Sequence, residues 1–181
     1  MQVKSTSIPD VKIITPEVYV DKRGFFMETW HQQDFHEMGI DAAFVQDNHS
    51  KSSQGILRGL HYQLQHTQGK LMRVISGEVF DVAVDIRKQS PTYGQWVGEK
   101  LSAENKKILW VPAGFAHGFY VTSVEAEFTY KCTDYYAPEF EQSIKWDDPD
   151  IGIDWPLMDG QPPLLSEKDD HGSSFKDAKT L

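Results

Sequence analysis

The chain has 181 residues, of which 39% are apolar and 25% charged, the balance of a soluble globular protein that can bury one sizeable core. A net charge of −9 counts against a nucleic-acid-binding surface, and no apolar run approaches the ~20 residues of a membrane span. The single cysteine, Cys132, excludes an internal disulfide and suits a reducing cytoplasm, and Met1 to Asp10 carry no apolar secretory stretch.

Residues 10–20 alternate loosely, with Val11, Ile13, Val18 and Val20, and predict one or two short strands. Asp21-Lys22-Arg23-Gly24 is a turn signal, and the aromatic run Gly24 to Trp30 reads as the next strand. His31 to Met38 is the one early helix, closed by Gly39. From Phe44 the pattern is β: a strand over Phe44 to Asn48, a polar loop over Ser50 to Gln54, then a strand over Gly55 to Gln63. Lys70 to Ser76 and Val79 to Ile86 read as two strands of a tight hairpin turning at Gly77-Glu78. In the second, Phe80, Val82, Val84 and Ile86 form one strongly apolar face. Gly94 to Leu101, Lys107 to Val111, Gly118 to Thr122 and Ala126 to Thr133 continue the series.

Short strands separated by turns, with no crossover helices, predict an all-β, mainly antiparallel sandwich or small barrel rather than a parallel α/β fold. A single domain over residues 1–181 is expected. The last stretch is punctuated by prolines, and from about residue 171 it reads as a frayed polar tail.

Arg58 and His61 lie close together on one Gly-flanked strand, where a cation and a neutral-pH proton carrier could hold and deprotonate an anionic ligand. The spacing from Gly55 to His61, with Pro112-Ala113-Gly114-Phe115-Ala116-His117 later, is similar to the two motifs of metal-binding cupin barrels. Gln63 stands where the second His of that pattern belongs, and Thr67 or Gln68 where its Glu belongs. Two imidazoles alone are a poor site for a transition metal, so the scaffold is expected to be cupin-like and no metal is expected. A catalytic His61 needs a carboxylate to fix its tautomer, and Asp81, Asp169 and Asp170 are all candidates. Lys70 could stabilise an enolate oxygen or merely end a strand. Tyr130 could be a general acid or a packed core tyrosine.

Several motifs then combine. D-x-R-G-F-F at Asp21 to Phe26, F-V-Q-D-N-H-S-K-S at Phe44 to Ser52 and L-R-G-L-H-Y-Q at Leu57 to Gln63 resemble the dTDP-4-dehydrorhamnose 3,5-epimerase family. So do Q-G-K-L-x-R at Gln68 to Arg73, G-E-V-F-D-V-A-V-D-I-R at Gly77 to Arg87 and P-x-G-F-A-H-G-F at Pro112 to Phe119. Y-K-x-T-x-Y-Y at Tyr130 to Tyr136 and L-S-x-K-D at Leu165 to Asp169 complete the series. The resemblance implies a cupin-type jelly roll, a homodimer, no cofactor, and inversion of C3 and C5 of a dTDP-linked 4-keto-6-deoxyhexose. It implies His61 as base, Asp169 as its carboxylate partner, Lys70 at the C4 oxygen and Tyr130 as the acid on the opposite face. Substrate contacts carried over are Arg23, Glu28, Gln46, Asp47, Asn48, Arg58, Lys70, His117, Glu141 and Lys168. Arg23 and Arg58 suit a diphosphate, and exchanged N-terminal strands would let one subunit complete the other's site. The competing readings are a single-centre epimerase, a metal-dependent cupin enzyme and a non-catalytic sugar-nucleotide-binding module.

Overall fold

The computed structural model describes residues 1–181. Two antiparallel sheets face each other across a shared core. One has six strands in the order β1 (Gln2–Ser5), β2 (Lys12–Thr15), β10 (Ile108–Val111), β7 (Lys70–Ser76), β12 (Glu125–Cys132), β5 (Gln46–Ser53). The other has five, in the order β13 (Glu141–Ser143), β6 (Leu57–Gln63), β11 (Phe115–Val121), β8 (Glu78–Asp85), β9 (Trp96–Ser102). A separate hairpin is formed by β3 (Val18–Asp21) and β4 (Gly24–Met27). The architecture is the cupin-like antiparallel sandwich that the turn-spaced strands predict, and no helix is long and apolar enough to cross a membrane.

Period-two alternation assigns the faces. Met72, Val74 and Phe128 from the larger sheet meet Val79, Ala83, Phe119 and Val121 from the smaller one in the inter-sheet core. The strongly apolar parity of β8, with Val82 and Val84, faces the other way. It packs with Leu57, Leu60 and Tyr120 beneath Ile144, Ile151 and Trp155 of the C-terminal segment. Each fully buried aliphatic side chain here contributes about 1.5–3 kcal/mol. The less apolar parity, which includes Asp81, therefore points into the sandwich, where a polar site can be built. Helix α1 (Gln32–Glu37), N-capped by His31 and followed by Gly39 at φ +74°, covers the outside of the larger sheet with Phe35.

Three sequence expectations are corrected. Lys70 to Ser76 and Val79 to Ile86 are not a hairpin: β7 pairs with β10 and β12, while β8 pairs with β11 and β9. Gly77 carries the chain from one sheet to the other, with φ +75° and a Cβ position only 2.0 Å from Glu125 O, so glycine is required by both conformation and space. Ser50 to Gln54 is not a loop, because β5 continues to Ser53 and pairs with β12 along its whole length. Its polar residues suit an edge strand with one exposed face.

The tail is not frayed either. Phe175, Ala178 and Leu181 pack on the outer core cluster, and Thr180 is buried. Tyr62 Oη donates to Lys179 O (2.8 Å), Leu181 N to Ile86 O (3.0 Å) and Lys88 N to Leu181 O (2.7 Å). The spacing of those three apolar residues was the available signal, hidden among lysines and aspartates.

Where β8 ends, the buried Asp85 carboxylate accepts from Arg87 Nε (2.9 Å), Arg87 Nη2 (2.7 Å), Ser90 Oγ (2.5 Å) and Thr92 Oγ1 (2.6 Å). Burial alone would raise this carboxyl, but the bonds from Arg87, Ser90 and Thr92 outweigh it and hold it down at about 2. A depressed carboxyl contributes stability that is present above its ordinary pKa of 3.8 and is lost as the pH falls toward 2. Asp85→Asn is expected to cost about 3 kcal/mol of unfolding free energy at pH 7, since it removes the buried acceptor shared by Arg87, Ser90 and Thr92 and leaves Arg87 only its outer ion pair with Asp10. Urea titrations at fixed protein concentration should show the gap to wild type closing between pH 4 and pH 2; a gap independent of pH would contradict this account.

Candidate active site

Strict alternation would send Arg58 and His61, three apart, to opposite faces of β6. The structure avoids this with a register break: His61 pairs with His117 and Arg58 with Phe119, so two residues of β6 stand opposite Gly118. The extra residue puts both functional side chains on the inner face and sends Leu60 to the outer cluster. The bulge depends on glycine. A Cβ on Gly59 (φ +135°) would lie 2.5 Å from Gly118 Cα.

His61 then opens onto a cavity of about 320 Å³ lined by Gln46, Asn48, Gln68, Lys70, Tyr130 and Glu141, among others. Gln46 and Asn48 come from β5, Lys70 from β7 and Tyr130 from β12, all on the inner parity of the larger sheet. The short helix α2 (Glu167–Asp170) approaches His61 from behind. His61 Nε2 donates to Asp169 Oδ1 (2.5 Å), while Ser166 Oγ, the helix N-cap, donates to Asp169 Oδ2 (2.7 Å). Burial tends to raise the Asp169 carboxyl, but the bonds from His61 and Ser166 override it and keep it below its ordinary value. Asp169 is thus an ionised acceptor that fixes the ring and leaves Nδ1 as the free nitrogen. Of the three carboxylates open to the sequence reading, Asp81 pairs elsewhere and Asp170 is exposed.

Lys70 forms no ion pair within the protein. Burial lowers its pKa, against the opposing influence of Cys132, Asp81 and Glu141. Burial also raises the Tyr130 phenol, reinforced by Cys132 and opposed by Arg58, so the hydroxyl stays protonated at neutral pH. An imidazole backed by a carboxylate, a lysine and a protonated phenol therefore converge on one pocket, the set needed to move protons next to a carbonyl.

The other expected residues divide. Arg58 Nε donates to Ser52 Oγ (3.1 Å) on the inner face. Glu141 holds Lys168 Nζ (2.5 Å) and accepts from Tyr136 Oη (2.7 Å), and the hydrogen bond to Glu141 pushes the Tyr136 phenol up to about 12. Asp47 is not brought to the cavity. It is on the outer parity of β5, 70% exposed and paired with Lys131 Nζ (2.9 Å), beside a second cavity on the far side of the sheet. His117 does not line the cavity either: it is buried, with Nε2 against Asp81 Oδ1 (2.9 Å) and Oδ2 (3.0 Å). Burial pushes the Asp81 carboxyl up and the His117 imidazole down, each opposed by the charge of the other. Arg23, 89% exposed and paired with Asp21, and Glu28, exposed just after β4, are outside the cavity lining of their own chain. Sequence reading gave Tyr136, Gln63 and Gln68 no site role, although the first closes a Y-K-x-T-x-Y-Y motif and all three line the cavity.

The cupin metal set is not assembled. Both Asp81 oxygens engage His117, and the Gln63 carboxamide bonds to loop backbone instead of facing His61. Glu28, His31 and Asp34 cluster on the surface, away from the cavity.

The model of the family described as dTDP-4-dehydrorhamnose 3,5-epimerase matches residues 5–177. The chain belongs to that family. It is 59% identical to the dTDP-4-dehydrorhamnose 3,5-epimerase of Pseudomonas aeruginosa over 98% of both chains. The dTDP-6-deoxy-D-glucose-3,5-epimerase of Legionella pneumophila, solved with dTDP-4-keto-L-rhamnose, superposes with a TM-score of 0.95 at 55% identity, covering 98% of this chain and 94% of that one. A 3'-monoepimerase of Streptomyces bikiniensis, solved with dTDP-quinovose, has a TM-score of 0.88 at 33% identity, over 95% and 87% of the two chains. The fold is thus shared with a protein named a 3,5-epimerase and with one named a 3'-monoepimerase.

Because the bulge at Gly59 is what aligns Arg58 with His61, Gly59→Ala is expected to abolish turnover, with at least a 100-fold loss of kcat/KM. Glycine at the facing position cannot yield, since its backbone is the clashing group. Steady-state kinetics on the folded fraction check this; near-wild-type turnover would show that the bulge is dispensable.

Proposed function

We infer that this chain is a dTDP-4-dehydrorhamnose 3,5-epimerase, which converts dTDP-4-dehydro-6-deoxy-D-glucose to dTDP-4-dehydro-L-rhamnose. The observation that carries this reading is the convergence of His61, Lys70 and Tyr130 on one cavity, with Asp169 bonded behind the imidazole. C3 and C5 flank the C4 ketone, so each proton is acidified by formation of an enolate. His61 Nδ1 takes the proton, Asp169 stabilises the imidazolium, and Lys70 donates to the C4 oxygen as enolate charge develops on it. An oriented donor of this kind supplies about 3–4 kcal/mol. Tyr130 returns a proton from the opposite face, which converts exchange into inversion. Electrons end where they began, so the reaction requires no redox partner. With its one buried thiol, Cys132, the enzyme is assigned to a reducing cytoplasm.

We place the diphosphate near Arg58 and the sugar against Gln46, Asn48, Glu141 and Lys168. Arg23 and Glu28 lie outside their own chain's cavity, and the hairpin that carries Arg23 exposes Tyr19, Val20, Phe25 and Phe26. A homodimer in which that hairpin covers the partner's cavity accounts for both facts.

Epimerisation at one centre is the alternative, favoured by the common fold of the Streptomyces monoepimerase; the much higher identity to the double epimerases weighs against it. Incubation of the keto-sugar nucleotide in D₂O is expected to place deuterium at both C3 and C5; label at one carbon, with one inverted centre, would refute the double reaction. His61→Ala should lower kcat by about 10³-fold or more with little change in ligand affinity. Mixing inactive His61→Ala with inactive Arg23→Ala subunits should restore about a quarter of wild-type activity, because half the dimers then contain one intact site. No recovery after subunit exchange would place Arg23 outside the partner's site.

A further inference from the structure

Gln63 ends β6 on the same inner parity as His61, at the position where the metal-binding cupin pattern has its second histidine. It is 5% exposed, and its carboxamide is committed to backbone. Nε2 donates to His66 O (2.6 Å) and Tyr135 O (3.2 Å), and Oε1 accepts from Ala137 N (2.9 Å). None of these three groups has a backbone partner of its own. One side chain therefore satisfies two separate loops, residues 64–69 and 133–140, that meet at the cavity mouth. The first is a tight turn in which His66 adopts φ +53°.

The second loop is the rim that carries Tyr136. Its two ends are tied separately, by Thr133 N to Gly69 O (3.0 Å), Gly69 N to Thr133 Oγ1 (2.8 Å) and Leu64 N to Phe140 O (3.0 Å). Along its length Gln46 Oε1 accepts from Tyr136 N (2.9 Å), Gln68 Nε2 donates to Asp134 O (2.9 Å) and Tyr136 Oη donates to Glu141 (2.7 Å). Gln63 is the buried side chain that grips the middle, at Tyr135 O and Ala137 N. The rim then leads through a short turn at Pro138–Phe140 into Glu141, which pairs with Gln63 in the β6–β13 register. Two exposed tyrosines, Tyr135 and Tyr136, are thereby fixed beside the entrance with their rings uncovered.

We propose that Gln63 is a positioning residue for substrate capture, a buried clasp that sets the Thr133–Phe140 rim and Glu141 against the cavity for the nucleotide sugar. This rests on the epimerase reading for the identity of the ligand, while the clasp itself is independent of it. Gln63 touches none of the reacting groups, so it acts on binding and leaves the proton-transfer step alone. The carboxamide that occupies a metal-ligand position has become the support of the cavity wall.

The test compares wild type with Gln63→Met, which removes all three bonds at similar volume, and Gln63→Glu, which is isosteric and removes the two donated bonds. Val97→Ala, in the inter-sheet core away from the site, is a control for general destabilisation. Both Gln63 variants are expected to raise KM for the keto-sugar nucleotide about tenfold or more while kcat changes less than about threefold. Amide hydrogen exchange should accelerate about tenfold or more in residues 133–140, with the strands of both sheets unchanged. Val97→Ala should leave KM and rim exchange as in wild type. Unchanged rim exchange in the folded variants would overturn the clasp, whatever the enzyme's substrate. Faster rim exchange with KM unchanged, or a fall in kcat with KM intact, would overturn its role in capture.

Discussion

Arg58 and His61 share a face only because β6 carries one residue more than β11 across Gly118. Everything at the site depends on that bulge. Without it, either the base or the cation would point into the outer core among Leu57, Tyr62 and Val82, where an unpaired charge is strongly unfavourable. Two glycines make the close approach possible, and the cost of ordering them is met by the packed cores on either side of the sheet. Bulges commonly re-aim a side chain beside an active site. Here one aims the putting-together of anion recognition and proton removal at a single strand.

Electrostatics inside the sandwich follow a related economy. The interior holds Asp81, His117 and Lys70 within the reach of one another's charge. Asp81 and His117 are committed to each other, and Lys70 faces the cavity with no ion pair of its own. A lysine held there is placed to donate to an oxyanion. His61 is bonded to its own carboxylate, Asp169, which comes from a different part of the chain. The charge of that imidazole still reaches His117 and Glu141.

Most strand positions were legible because period-two alternation is local, whereas Asp169 was separated from Asp81 and Asp170 only by the family resemblance. The sheet assignment of β7 and β8 was not legible. A Gly-Glu step between two apolar runs looks the same whether the chain reverses within one sheet or crosses to the other, and only the clash geometry at Gly77 distinguishes them. Asp47 illustrates a different limit: a motif read as a contiguous Gln46-Asp47-Asn48 triplet assigns all three to the ligand, but a strand must send the middle one to the opposite face. The same parity was available in the sequence and could have separated them. The position of His117 could not, since its burial depends on a partner, Asp81, contributed by another strand.

The C-terminal segment joins stability to chemistry. Its residues cover the outer face of the smaller sheet with Ile144, Ile151, Trp155, Phe175 and Leu181, and the same segment delivers α2. Within that one short helix, Ser166 caps the first turn and donates to Asp169, Asp169 holds His61, and Lys168 holds Glu141. A helix of four residues has little stability of its own, so its geometry is borrowed from the packing before and after it. Loosening the tail would therefore release the imidazole's orientation before it unfolded either sheet, because Asp169 has no other anchor to the barrel than Ser166, His61 and the Gly59 amide. The tail from about residue 171, expected to be frayed, packs on the outer core cluster immediately beyond the helix that carries the carboxylate behind the base.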